Sequence, residues 1–464
     1  MAREIVCISP VDGREYLRRA TASEAEIAAA LARARTAQRE WRRVPVETRA
    51  AIVAEVVDAL KAMAPEIAVE LAWQMGRPIR YGQGEMRGVE ERTRHMAEIA
   101  PTALAPIVPA PWSGFERRVT REPLGIVFTV APWNYPYLTT VNSVVPALIA
   151  GNAVILKHAA QTLAVGDRFQ MAFDRTALPK GLFQHLVLGH DQTTAIIAGG
   201  HVNHVAFTGS VAAGREIERA CAGTFTTCGL ELGGKDPAYV RPDADLEHTV
   251  EQLIDGAFFN SGQCCCGIER IYVHEAIHDR FLAAYVEAAS RYVLDDPTKE
   301  TTTLGPMART AFAETVRAQT AEAIARGARA ELDPGLFPRA CAGTPYLGPQ
   351  VLTGVDHSMT VMREESFGPV VGVMKVKDDS EAIGLMNDSP YGLTASIWTA
   401  DRDAAVRIGE EVETGTVFMN RCDYLDPGLV WTGVKDTGRG AALSSVGYET
   451  LTRPKSWHLK LTTP

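Results

Sequence analysis

Short apolar runs recur through the middle of this chain, with room for a helix between one and the next. They are Ile126-Val127-Phe128-Thr129-Val130, Ala153-Val154-Ile155-Leu156, Gln184-His185-Leu186-Val187-Leu188, His204-Val205-Ala206-Phe207 and Ala238-Tyr239-Val240. A strand that returns through a helix pairs in parallel with its predecessor, so the pattern predicts an α/β fold with a parallel sheet. Such sheets take ligands at the carboxyl ends of their strands, which makes the residues just after each run the ones to examine.

The pattern repeats from about residue 233 to 419, with runs at Arg270-Ile271-Tyr272-Val273 and Val370-Val371-Gly372-Val373-Met374, and predicts a second α/β domain. A chain of 464 residues exceeds the size at which one core stops growing, which agrees with two or more domains. Ahead of the runs, Ile5 to Ile8 reads as a strand. Ser23 and Glu26 have capping-box spacing before an amphipathic helix through Ile27, Leu31 and Ala34, and a second helix from Val46 carries Ile52, Val56 and Leu60. Two segments alternate like exposed strands, Arg117 to Glu122 and the tail Lys455 to Leu461. The tail needs an edge in this chain or in a neighbouring subunit.

A formal net charge of −9 argues against a nucleic-acid partner, because phosphate binding rests on concentrated Lys and Arg. Eight cysteines without a CxxC pattern support neither a disulfide scaffold nor a metal site. The segment Val144 to Leu156 is broken by Pro146, Gly151 and Asn152, so no membrane span is expected, and the N-terminus lacks a secretory pattern. The expected location is the cytoplasm, where free thiols survive.

Several groups could carry chemistry. Gly209-Ser210 follows a strand and precedes a helix-like stretch, a turn that lets backbone approach a phosphate. Lys157 ends another run and should project from the same sheet edge. Pro132 and Pro136 stiffen the segment holding Trp133, Asn134 and Tyr135, which suits an amide that stabilises an oxyanion. Glu231 lies between Leu230 and Leu232, where desolvation raises a carboxyl towards the range of a general base. Cys264, Cys265 and Cys266 follow a Gly-Gln pair, and their order alone does not say which of the three reacts.

Taken together in chain order, these motifs resemble the aldehyde dehydrogenase superfamily, from about residue 5 to the end. They are joined by Gly151-Asn152-Ala153, Glu231-Leu232-Gly233-Gly234-Lys235, Glu364-Glu365-Ser366-Phe367-Gly368-Pro369 and Asn387-Asp388-Ser389-Pro390-Tyr391-Gly392-Leu393. The resemblance implies a Rossmann-type cofactor domain (1–111 and 125–232, with a return segment at about 422–444) and a catalytic domain at 233–421. It also implies a small β oligomerisation arm (112–124 and 445–464) and a homodimer or homotetramer. By the same resemblance Cys265 is the nucleophile, Glu231 the general base and Asn134 the oxyanion donor. Val130, Pro132, Trp133, Lys157, Ala160, Gly209, Ser210, Leu232, Glu365 and Phe367 bind NAD, or NADP. Tyr135, Asn142, Phe259, Leu425 and Trp431 face the aldehyde, and no metal is required.

The implied reaction is oxidation of an aldehyde to the acid through a Cys265 thiohemiacetal and thioester, with Glu231-activated water releasing the product. Transfer of the acyl group to CoA and a non-catalytic binding role are the alternatives, and Glu231 and the intact triad weigh against them. Three departures stand out. Ala160 replaces a ribose-binding glutamate, which leaves NADP open. Ser143 and Ala442 replace a lysine and a glutamate proposed to assist proton transfer, and Trp431-Thr432-Gly433 replaces Phe-Gly-Gly. The substrate positions show no basic residue, so an aldehyde carrying a second carboxylate is disfavoured.

Overall fold

The computed structural model describes residues 3–462. Two sheets organise the chain. In the first, six strands lie in the order Gly438–Arg439, Thr227–Glu231, His204–Thr208, Ile126–Val130, Ala153–Lys157 and Phe183–His185, all parallel except the first. Ile126–Val130 and Ala153–Lys157 are buried along their whole length, as parallel strands covered by helices on both faces must be.

The second sheet has seven strands, in the order Arg329–Ala330, Gln350–Thr353, Val370–Val376, Ile268–His274, Asp236–Val240, Thr394–Trp398 and Thr416–Met419. Asp236–Val240 therefore opens the second sheet and does not continue the first, although its apolar texture matches the earlier runs. What sequence reasoning passed over is Thr227–Glu231, whose residues Thr, Cys, Gly, Leu and Glu carry too little apolar character to mark a strand.

The amino-terminal part folds largely as read. Glu4–Ile8 pairs with Glu15–Ala20, and Ser23 caps the helix Glu24–Trp41 in a full capping box with Glu26. The helix expected from Val46 is two short ones, Val46–Ala54 and Val56–Lys61. Trp41 Nε1 donates to Leu148 O at 2.7 Å, and Arg49 Nε to Ile149 O at 2.7 Å. These bonds satisfy the last carbonyls of helix Pro136–Ile149 and fix the element that carries Asn142.

Phe115–Pro123 and Thr452–Lys460 pair antiparallel over nine residues, apart from both large sheets. The tail thus finds its edge in its own chain. Among the described residues, no helix is long and apolar enough to cross a membrane.

Candidate active site

The chain leaves the buried strand Ile126–Val130 through Pro132 and Trp133 and reaches Asn134, which is itself buried. Asn134 Nδ2 donates to Gln263 O at 3.2 Å, while its backbone oxygen accepts from Arg77 Nη2 at 2.5 Å and Asn260 Nδ2 at 3.1 Å. Arg77 in turn pairs with buried Glu85, whose Oε1 accepts from the first-turn amides of Tyr137 (2.8 Å) and Leu138 (3.1 Å). The amide is therefore locked from both ends, as a preorganised donor must be.

The cysteines follow a strained turn. Asn260, Ser261 and Gly262 have φ of 54°, 57° and 67°, and a Cβ on Gly262 would stand 2.2 Å from Gly368 O. Gln263 anchors the turn on both sides, accepting from Ala308 N at 2.8 Å and donating to Asn260 O at 3.0 Å. The sulfurs of Cys264, Cys265 and Cys266 then lie within 4.8 Å of one another. Cys264 and Cys266 are 3.5 Å apart and donate to Asp423 Oδ1 at 3.1 and 3.0 Å. The neighbouring thiols, Cys264 and then Cys266, favour the Cys265 thiolate and bring its pKa down to about 6 against the pull of burial, whereas Cys264 is pushed up to about 12. Of the three, Cys265 is the one whose surroundings favour the thiolate.

Glu231 ends its strand beside the same space. Burial raises its carboxyl to about 7, opposed by a Thr208 hydroxyl at 3.3 Å and by the charge of Arg92. Glu231, Asn134 and Cys265 wall a single cavity of about 620 Å³ together with Val130, Pro132, Trp133, Lys157, Gly209, Ser210, Leu232, Glu365 and Phe367. Ala160 is not part of that wall, which Ala159 forms; Ala160 instead begins the turn Ala160–Thr162. Trp133 stacks on Phe312 at 5.5 Å and meets the edge of Phe367 at 5.6 Å, making a flat aromatic side to the cleft.

The expected substrate residues are more scattered. Tyr135 lies under Arg77 (4.7 Å to the ring centre) near Cys264, Cys266 and Asp423, with its hydroxyl buried and unpartnered. Phe259 packs edge-on against Tyr81 at 5.0 Å. Trp431 is buried and exchanges backbone hydrogen bonds with Ala442, and Leu425 packs on the core of the first sheet. Asn142 lines a second, smaller cavity of about 40 Å³, shared with Glu231, Thr129, Ser143, Thr208 and Ala442, in which the Thr129 and Ser143 hydroxyls are 3.1 Å apart.

None of these positions is basic, but a basic residue from another helix contacts Asn142. Arg92 is 6% exposed and donates from Nη1 to Asn142 Oδ1 at 3.0 Å and Leu138 O at 3.2 Å. Among the described residues no carboxylate comes within ion-pair distance of it, although Cys266, Glu231, Glu91 and Cys265 all lie in its field. Its signal was in the sequence: Arg92 sits on the buried stripe Val89, Thr93 and Met96 of helix Gly82–Ala103, where an apolar residue is the rule. Asp423 and Phe312, too, escaped notice, since each reaches the site from a segment with no motif of its own.

The geometry agrees with what this chain is similar to. A model of the aldehyde dehydrogenase family matches residues 1–457. An aldehyde dehydrogenase of Paenarthrobacter nicotinovorans is 36% identical, covering 91% of this chain and 92% of its own. The succinate semialdehyde dehydrogenase [NAD(P)+] Sad of Escherichia coli is 33% identical over 96% of each. The solved structure of betaine aldehyde dehydrogenase from Staphylococcus aureus with NAD+ superposes with a TM-score of 0.92 at 27% identity, covering 100% of this chain and 92% of that one. The chain belongs to the aldehyde dehydrogenase family, an NAD(P)-dependent oxidoreductase that converts an aldehyde to the carboxylic acid.

Proposed function

We propose that the residues gathered around the 620 Å³ cleft divide the reaction as follows, and that the aldehyde oxidised carries an anionic group. Cys265 thiolate adds to the carbonyl carbon, and Asn134 Nδ2 donates to the oxyanion as it forms. Oxidation leaves a thioester on Cys265; Glu231 then takes a proton from the water that hydrolyses it.

The cleft fits a dinucleotide. Lys157 is desolvated, and its ammonium makes no hydrogen bond or ion pair among the described residues, so it has capacity for a phosphate or ribose oxygen. Ser210 caps helix Val211–Cys221, turning that helix's free N–H groups towards the same space. When bound there, the nicotinamide supplies the hydride acceptor that side chains lack. Ala159 and Ala160 offer no carboxylate to a 2'-phosphate, which supports use of NADP as well as NAD.

The substrate class rests on one observation, the buried guanidinium of Arg92, which has no ion pair among the described residues, holds the cavity-lining Asn142 and feels the charges of Cys266 and Glu231. Removing an ion of this size from water costs several kcal/mol unless a counter-charge arrives, and a carboxylate on the substrate supplies one. Asn142 Nδ2, buried and unpartnered beside it, is a second donor for the same anion. That a relative is named for succinate semialdehyde agrees with this reading.

Neutral aldehydes and aldehydes bearing a carboxylate, compared in wild type and Arg92→Met by NADH and NADPH formation, test it. The substitution should lower kcat/KM for the carboxylate-bearing substrates by roughly 10²-fold, mostly through KM, and spare the neutral ones. Equal losses on both classes would make Arg92 a partner of Glu231 and not of the substrate.

The antiparallel arm of Phe115–Pro123 and Thr452–Lys460 leaves a strand edge exposed, which supports assembly of a homodimer or homotetramer through it, in the cytoplasm. The cofactor domain, catalytic domain and arm then follow the boundaries given above.

A further inference from the structure

A second group of thiols lies outside the cleft. Cys221 is the last residue of helix Val211–Cys221 and is buried; Cys228 is the second residue of strand Thr227–Glu231 and is half-buried. The helix packs on the strand, and the two thiols act on each other's ionisation across the connection that joins them. Arg439, on the antiparallel edge strand, donates from Nη2 to Cys228 Sγ at 3.4 Å and is held there by an ion pair with Glu218 at 2.7 Å. In the connection, Phe225 is fully exposed with φ 58°, and Cys228 itself is partly open to solvent while Cys221 is buried.

The pair is asymmetric. The Cys221 thiol and then the Arg439 guanidinium stabilise negative charge on Cys228 and draw its pKa down, while the same contact pushes Cys221 up. One sulfur is thus prepared to attack, and its neighbour keeps a proton until it is needed. Neither lines the cofactor cleft.

We propose that Cys228 and Cys221 form an oxidation site for hydroperoxides, in which Cys228 is oxidised first and Cys221 resolves the product to a disulfide. Cys228 thiolate attacks the distal oxygen of the hydroperoxide: an S–O bond forms to that oxygen, the O–O bond breaks, and the proximal oxygen leaves as an alkoxide (or hydroxide, from hydrogen peroxide) that takes a proton from solvent. Cys221 then attacks the sulfenic sulfur; an S–S bond forms, the S–O bond breaks, and water carries away the hydroxyl with the Cys221 proton. Two thiols lose two electrons and the hydroperoxide gains them, with no further reactant.

The sequence makes the test direct. Cleavage after Arg219 and Lys235 releases both cysteines in one peptide, separate from Cys264 to Cys266. Wild-type protein treated with a few equivalents of hydrogen peroxide, alkylated and digested with trypsin should yield the peptide from Ala220 to Lys235 lighter by two hydrogens and unalkylated. Cys221→Ser should instead carry a sulfenic acid on Cys228 that dimedone traps. Arg439→Gln should slow the reaction at pH 7 roughly tenfold, because less thiolate is present. A wild-type peptide that keeps both thiols alkylatable at doses that oxidise Cys265 overturns the proposal, and that measurement needs no variant to fold. Failure to trap Cys228 in Cys221→Ser, or an unchanged rate in Arg439→Gln, overturns the order of events.

Discussion

The Sγ atoms of Cys264 and Cys266 stand 3.5 Å apart, and the two residues flank Cys265 in the chain. Both donate to Asp423, which fixes them beside the Cys265 sulfur, and both favour its thiolate. Replacing the pair by alanine should raise the Cys265 pKa from about 6 towards the ordinary thiol value of 9.0. Alkylation of Cys265 by iodoacetamide at pH 7 should then slow by roughly tenfold or more. An unchanged pH midpoint in the double variant would show that the flanking thiols only pack.

Glu231 has its carboxyl raised to about 7, so as pH rises through that value it becomes the carboxylate that can accept a proton. Deacylation should climb by about tenfold per pH unit below the midpoint and level off above it. Glu231→Gln should abolish this dependence and cut steady-state turnover roughly 10²- to 10⁴-fold while leaving a stoichiometric burst of NADH. Loss of the burst along with turnover would place Glu231 before the thioester.

Gly262 cannot carry a side chain without moving the turn that presents the cysteines, since φ is 67° and Gly368 O blocks the Cβ position. Gly262→Ala should lower the unfolding free energy by about 2–4 kcal/mol and reduce kcat more than KM. Urea denaturation alongside steady-state kinetics checks both; a variant with wild-type midpoint and rate would mean that the turn yields at no cost.

His158 is buried with Nδ1 accepting from Ala159 N at 2.9 Å, while Nε2 meets Pro136 O at 3.2 Å, an arrangement for the neutral ring only. Burial lowers its pKa from 6.5 to about 3. Below pH 6.5 the unfolded chain takes a proton that the native state refuses. The stability this depressed pKa represents is therefore present above 6.5 and lost as pH falls towards 3, on the order of a few kcal/mol in full. His158→Gln should flatten the decline in urea midpoint between pH 7 and 5, and an unaltered slope would assign the acid sensitivity to other groups.

How far the sequence could be read depended on whether a residue's role was local. Ser23 with Glu26 and the strand Ile126–Val130 announce themselves within a few positions, because capping and burial along a strand are short-range matters. The strand Thr227–Glu231 was hidden because it owes its place to pairing with His204–Thr208 and not to its own apolar content. Arg92 was hidden differently. A charge on an apolar stripe signals a buried partner, but only the packing of helix Gly82–Ala103 on helix Pro136–Ile149 shows that it reaches Asn142.

Glu231 belongs to two chambers, the cofactor cleft and the 40 Å³ cavity behind Thr208 and Ser143. The smaller one is lined in part by Thr129, Asn142, Ser143 and Thr208 and has room for water, so it offers a proton a path where Ser143 and Ala442 supply no charged side chain. A base with a single door would have to return its proton to the chamber from which it took it. With two, a proton taken by Glu231 on the cleft side has a way out that does not cross the cofactor cleft.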